Sequence, residues 1–269
     1  MDKKDLDRVL KKSGDDQLIA AATVVLVRDS DEGLQTLLLR RNAKLNFAGG
    51  NWVFPGGRID PEDHQTKSAS DDLSTQVSSK DREYERACER PEGEFQAARQ
   101  AAVRETFEEA GLTIGDSNLV YFAHWIAPPL MNKRFSTWFF VLPINDILSE
   151  EIQIDHGEIH EARWLTASQA LENAESKEMS LLPPTVVTLS ELARYQTCEA
   201  LTEYYRNRKP VVFSPHVFIG EDDTPSAGKF VFIYNGDAGY DNSNPDAAGE
   251  RHRLSSVDGV WHYENTVYQ

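Results

Sequence analysis

The stretch "AAVRETFEEAGL" (residues 101–112) sets three glutamates within five positions directly behind an arginine. The surrounding sequence from Glu94 to Ala110 is rich in alanine and free of Gly and Pro, and Gly111 stands where a C-terminal cap belongs, so a helix is predicted over 94–110. Positions three and four apart share one helix face, which brings Glu105 together with Glu108 and Glu109. Like charges at those spacings cost roughly a few tenths of a kcal/mol per pair. Some other interaction must offset that cost, and a bound cation is the obvious one. Hard oxygen ligands suit Mg²⁺ or Mn²⁺, which commonly bind through a few carboxylates together with substrate phosphates.

Strands are predicted on both sides of this helix. Segments 18–29 ("LIAAATVVLVRD") and 35–41 ("QTLLLRR") are apolar and flank the turn-like "SDEG", which reads as a buried hairpin. A further strand precedes "FPGG" (54–57), and 118–128 pairs with 134–144. Residues 160–166 form a short strand leading into a helix over 167–175. Segment 58–94 is polar, with Pro61 and Pro91 near its ends, and is expected to be a surface insertion, part of it helical. Beyond Pro183 and Pro184 one long helix is expected through Arg206, then a β-rich tail turning at "VDGV" (257–260).

Composition narrows the function classes. A formal charge of −16 argues against phosphate-backbone binding, because nucleic-acid affinity comes largely from clustered Lys and Arg. Cys88 and Cys198 are the two cysteines, and neither belongs to a Cys-x-x-Cys pair, so no disulfide framework or zinc site is implied and a reducing compartment is expected. No run approaches membrane-spanning length, and "MDKKDLDRVLKKSGDDQ" lacks a secretory apolar region, so the expected location is cytoplasmic. The spacing of His156 and His160 invites a zinc reading on a helix, which Gly157 and the strand-like continuation oppose.

Arg104, Glu105, Glu108, Glu109, Gly111 and Leu112 fall in register with Arg-Glu-U-x-Glu-Glu-x-Gly-U, where U is aliphatic, and the chain resembles the Nudix hydrolases, whose signature this is. Thr106 replaces the first aliphatic residue, and Gln96 stands where the family has an earlier Glu. The opening glycine is supplied by Gly57 if 38 residues (58–95) are inserted where the family has five. A loop can absorb this, since closure entropy rises only ~0.6 kcal/mol per doubling of length. The resemblance implies an α/β/α sandwich with a mixed sheet, an N-terminal tail (1–17), a Nudix hydrolase domain (18–200) and a C-terminal extension (201–269) packed on the same domain.

The resemblance also implies roles. Glu105, Glu108, Glu109 and the Gly57 carbonyl are expected to hold Mg²⁺ or Mn²⁺, and Arg104 to orient Glu105. The general base must be found locally; Glu158 and Glu161 are candidates, with Glu158 favoured. The expected reaction is hydrolysis of a diphosphate linkage in a nucleotide conjugate, without a nucleic-acid or membrane partner; oligomeric state is left open, a homodimer being compatible.

Residues 37–57 further resemble the coenzyme A diphosphatase branch, matching at Leu37, Leu38, Arg41, Gly50, Phe54, Pro55, Gly56 and Gly57 and departing at Leu39, Asn42 and Asn46. An insertion after "FPGG" and a strand matching at Arg134, Phe135, Thr137, Phe139 and Phe140 resemble the larger acyl-CoA diphosphatases. Arg41, Lys133 and Arg134 are expected substrate contacts, and Trp125, Phe135 and Trp138 candidates either for stacking an adenine or for the core. The substrate expected is CoA or acyl-CoA; ADP-ribose, NADH or nucleoside sugars are the alternative, and a nucleotide sensor without turnover a different class. Arg251, His252 and Arg253 could approach a phosphate, although a capping hairpin is the plainer reading.

Overall fold

The computed structural model describes residues 17–45, 47–65, 78–129, 131, 133–144, 152–219, 230–257 and 259–268. Its centre is strand β1 (Leu18–Ser30), whose near-continuous apolar run follows from burial on both faces. Val24 and Leu26 join one core, Val25 and Val27 the other. The outer half of β1 pairs antiparallel with β2 (Gly33–Arg41), from Val27↔Thr36 to Ser30↔Gly33. Its inner half pairs instead with β4 (Gly56–Arg58), which follows β3 (Trp52–Val53), at Thr23↔Gly56 and Ala22↔Gly57. The chain therefore forks beside β1, and "FPGG" fills the fork.

Strand β5 (Val120–Ile126) lies antiparallel to β6 (Arg134–Pro143), which runs parallel to β1, and β7 (Ile159–Thr166) pairs with β2. With β8 (Val211–Phe213), parallel to β5, these make one mixed eight-stranded sheet. Helix α1 (Ser79–Ala87) belongs to the inserted segment and α2 (Glu94–Ala110) is the glutamate helix. Small residues Ala98, Ala101 and Ala102 let α2 settle against Ala22, Val24, Trp138 and Phe140. The opposite face is covered by α3 (Ala167–Glu175), α4 (Pro183–Leu192) and α5 (Cys198–Asn207). The result is the expected α/β/α sandwich. A second sheet, antiparallel in the order β12-β11-β10-β9, uses β9 (His216–Ile219), β10 (Phe230–Ile233), β11 (His252–Val257) and β12 (Val260–Asn265).

One expectation needs correction, and one alternative to the expected hairpin falls away. The long helix after Pro184 is two helices, because Thr197 caps α5 by accepting from Ala200 N (3.2 Å) and the Asp29 carboxylate takes the Cys198 N–H at 2.7 Å. Arg253 and His252 are buried parts of the second sheet, removed from any phosphate role: Asp237 accepts from Arg253 Nε (2.7 Å) and Nη2 (2.6 Å) and from the His252 backbone (3.0 Å). Helix α5 also runs across residues 200 and 201, so the main sheet's helical cover continues into the segment expected as an extension.

The insertion does more than coat the surface. Helix α2 starts at Gly93 without a side-chain cap of its own, and buried Glu85 from α1 accepts from Gly93 N (2.8 Å) and Phe95 N (3.0 Å). A carboxylate here satisfies two orphan donors at the positive end of the helix. Glu85→Ala is expected to lower stability by about 1–2 kcal/mol, read as a reduced urea midpoint with unchanged slope.

Candidate active site

The fork beside β1 and the last two turns of α2 build the site together. Glu109, the penultimate residue of the helix, is buried against β4, and its Oε2 accepts the Gly56 N–H at 2.9 Å. Its other oxygen lies 3.7 Å from Arg41 Nη1. Burial pushes the Glu109 carboxyl up to about 8, with neighbouring Glu105 adding to the rise and the Gly56 N–H and Arg41 working against it. Gly56 must lack a side chain here, since a Cβ would stand 2.4 Å from the Ala22 carbonyl.

One helical turn earlier, Arg104 gathers the remaining acids. It donates from Nη1 to Glu105 (2.8 Å) and Glu108 (3.1 Å), and from Nη2 to the Arg58 carbonyl (2.9 Å). Nε and Nη2 form a fork on Asp63 at 3.1 and 2.9 Å. This bidentate pair, ahead of Glu105, holds the guanidinium even more firmly charged than usual. Burial raises the Glu105 carboxyl, opposed by Arg104. Glu108 is the most exposed of the three glutamates.

The Glu105 carboxylate is seated on Gly57. A Cβ on Gly57 would stand 2.2 Å from Glu105 Oε1 and 2.6 Å from Oε2, so the absence of a side chain there makes the cradle. Because Arg104 holds Glu105, it cannot simply swing away. Gly57→Ala is expected to cut kcat by about 10²-fold through displacement of Glu105 while stability changes little, measured as steady-state rate beside thermal midpoint.

The oxygen-only donor set fits a hard cation. Glu105 and Glu109 both carry raised carboxyls, and a divalent ion held by them would offset their desolvation. Among the described residues no three acidic, His or Cys side chains are already drawn into a cation cage, because Arg104 ties Glu105 and Glu108.

The other expected residues divide by place. A bulge in the β2–β7 pairing at Arg40/Arg41 re-aims Arg41, which reaches Glu158 Oε2 at 3.2 Å as well as Glu109. Glu158 sits in a turn whose Asp155 carboxylate accepts the Glu158 and Ile159 N–H groups at 2.8 Å. Glu161 is engaged instead by Arg163 and Arg40. His156 lies in the bend and His160 on β7, so they are not one turn apart on a helix. Arg134 begins β6 opposite Leu18, four residues from Trp138 in the register of Ala22 and Gly57, about 13 Å along the strand. Its Nε donates to the Ala127 carbonyl at 3.2 Å, and Lys133 before it is exposed. Trp125 and Trp138 are core, whereas Phe135 packs on Phe47.

Asp63 was not legible as a site residue. It lies 41 positions from Arg104, in a 3-10 turn at Pro61–His64. The trace it leaves in the sequence is Asp-Pro at 60–61 followed by Asp63, a local turn signature that says nothing of Arg104.

Residues 75–183 match the NUDIX domain family. The Caenorhabditis elegans protein assigned as nudix hydrolase 7 is 24% identical over 212 residues, covering 76% of this chain and 70% of that one. A Xenopus laevis protein named acyl-coenzyme A diphosphatase NUDT19 is 22% identical over 244 residues, covering 65% of this chain and 63% of its own length. The crystal structure of a NUDIX hydrolase from Alicyclobacillus acidocaldarius superposes with a TM-score of 0.54 at 22% identity, covering 70% of this chain and 96% of that one. That likeness is one of fold.

Proposed function

We propose that this chain is a Nudix hydrolase, a divalent-cation-dependent pyrophosphohydrolase of nucleotide conjugates, with CoA or acyl-CoA as substrate and 3′,5′-ADP and (acyl-)phosphopantetheine as products. The observation that carries the reading is buried Glu109, held by Gly56 and facing Arg41, beside Glu105 seated on Gly57. Such a site gathers carboxyls whose pKa burial has raised beside a specific charge partner, the pattern of a functional site.

Glu105, Glu108, Glu109 and the Gly57 carbonyl would hold Mg²⁺ or Mn²⁺. A bound ion of this kind screens diphosphate oxygens and lowers the pKa of water. Arg104 keeps the Glu105 oxygens in place through its Nη1 donor. Arg41, whose buried Nε has no hydrogen-bond partner among the described residues, is positioned to receive a phosphate oxygen. Glu158, exposed and across from Arg41, would accept the proton of the attacking water. Water adds at one phosphorus, the bridging P–O bond breaks, and the two halves leave as phosphomonoesters, 3′,5′-ADP and (acyl-)phosphopantetheine.

The CoA assignment is supported by the Xenopus relative's name and by the residues shared with that branch around Arg41 and "FPGG". The two cysteines, Cys88 and Cys198, both buried and far apart in sequence, support a reducing compartment, the cytoplasm. The test is a panel of CoA, acyl-CoA, ADP-ribose, NADH and nucleoside sugars with Mg²⁺ or Mn²⁺, products resolved by mass. Release of 3′,5′-ADP with the highest kcat/KM on CoA compounds is expected. A preference for another conjugate would discard the CoA branch and keep the chemistry; silence across the panel would leave a nucleotide sensor.

A further inference from the structure

Three large apolar side chains are exposed among the described residues: Phe47, Phe107 and Ile219. Phe107 stands on α2 itself, between Glu105 and Glu108, and Phe47 on a turn fastened to the site from the other side of Arg41. That turn leaves β2 directly after Arg41 and closes on it, with Arg41 N donating to the Asn51 carbonyl and Gly50 N to the Arg41 carbonyl, both at 3.0 Å. Asn42 ties the same turn to the Glu158 loop, donating from its backbone to the Glu158 carbonyl (2.7 Å) and from Nδ2 to the Gly157 carbonyl (2.9 Å). A Cβ at Gly49 would stand 2.6 Å from the Leu45 carbonyl, and Gly50 has φ +80°, so glycine is required for this compact path.

The turn places the Phe47 ring on Phe135, with centroids 4.9 Å apart and planes at 44°. By strand alternation Phe135 shares the sheet face of Phe139 and Val141, opposite Trp138 and Phe140. It pairs with Ile19, three residues from Ala22 and hence about 10 Å along the strand from the register of Gly57. Exposed Lys133 lies two residues away. An exposed ring backed by a second ring, set off from the diphosphate site and next to a cation, matches a nucleoside carrying a phosphate. Phenyl faces stack any base, since every base presents a π-face.

We infer that Phe47, supported by Phe135, is the platform on which the nucleobase of the substrate stacks. This deepens the reading of the site as one for nucleotide conjugates and rests on it. Binding of ADP and of inorganic pyrophosphate, each with Mg²⁺, is measured by calorimetry for wild type, Phe47→Ala, Phe47→Leu and Phe47→Trp, with circular dichroism confirming the fold. Phe47→Ala is expected to weaken ADP roughly 5- to 100-fold and leave pyrophosphate unchanged, with Trp restoring ADP affinity and Leu not. Equal loss for both ligands, restoration by Leu as good as by Trp, or a wild-type preference for pyrophosphate over ADP overturns the inference. A wild type that binds ADP through Phe47 yet hydrolyses no conjugate would instead sink the hydrolase reading and leave the base platform standing.

Discussion

Glu109→Gln is expected to lower kcat/KM by about 10²–10³-fold with the fold intact, a loss typical of removing one preorganised electrostatic group. The amide retains an oxygen for the Gly56 N–H but carries no charge for a cation. Metal linkage supplies a readout besides activity: Mg²⁺ or Mn²⁺ should raise the wild-type thermal midpoint by binding the native state, and should raise that of the variant far less. The dependence on pH has a definite sign. Burial lifts the native Glu109 pKa to about 8, above its ordinary carboxylate value. The native state therefore binds the proton more tightly, and the stability this confers is present at low pH and lost as pH rises towards 8. Metal-free wild type should weaken between about pH 5 and pH 8, and Glu109→Gln should weaken less over the same range. Parallel stability profiles for the two proteins would show that Glu109 does not titrate in this environment.

The second large effect is expected at Arg104. Removing it by Arg104→Ala strips Asp63 of both donors of its fork while Asp63 stays buried, and also releases Glu105 and Glu108. An abandoned buried carboxylate costs about 3 kcal/mol, the lower end of the usual range because Arg104 itself is partly solvated. For a chain of this size that is roughly 6–12 °C in thermal midpoint. Turnover should fall about 10²-fold as Glu105 loses its orienting donor. Arg104→Lys should recover little of either, since an ammonium cannot form the fork or reach four acceptors at once. Adding Asp63→Asn to Arg104→Ala separates the two roles: stability should return in part and activity should not. Recovery of both together would mean that Arg104 serves the site only by supporting the fold.

Much of this protein was legible before any coordinates. Helix 94–110 with its Gly111 cap, the hairpin on either side of Gly33, the strand leading into 167–175 and the shared face of Glu105, Glu108 and Glu109 all follow from contacts between residues near in sequence. Each is specified by periodicity of 3.6 or 2 and by a capping or turn residue, which are local properties. The break between α4 and α5 was missed because the decisive bond joins Cys198 to Asp29, 169 positions away. Glu85 and Asp63, polar residues in a polar insertion, were indistinguishable by composition from residues that merely face water.

The sequence by itself determined most of the elements and the presence of three carboxylates on one helical face, and its resemblance to a known family implied the sandwich. Tertiary structure alone decided which of those carboxylates is buried, that Asp63 from the insertion grips Arg104, that Arg253 turns inward to Asp237, and that Phe47 meets Phe135 across 88 positions. Local structure depends on hydrogen bonds and side-chain spacing within a turn or two. Burial and long-range pairing depend on which distant segments the packed core brings together, a property of the whole chain that no short window contains.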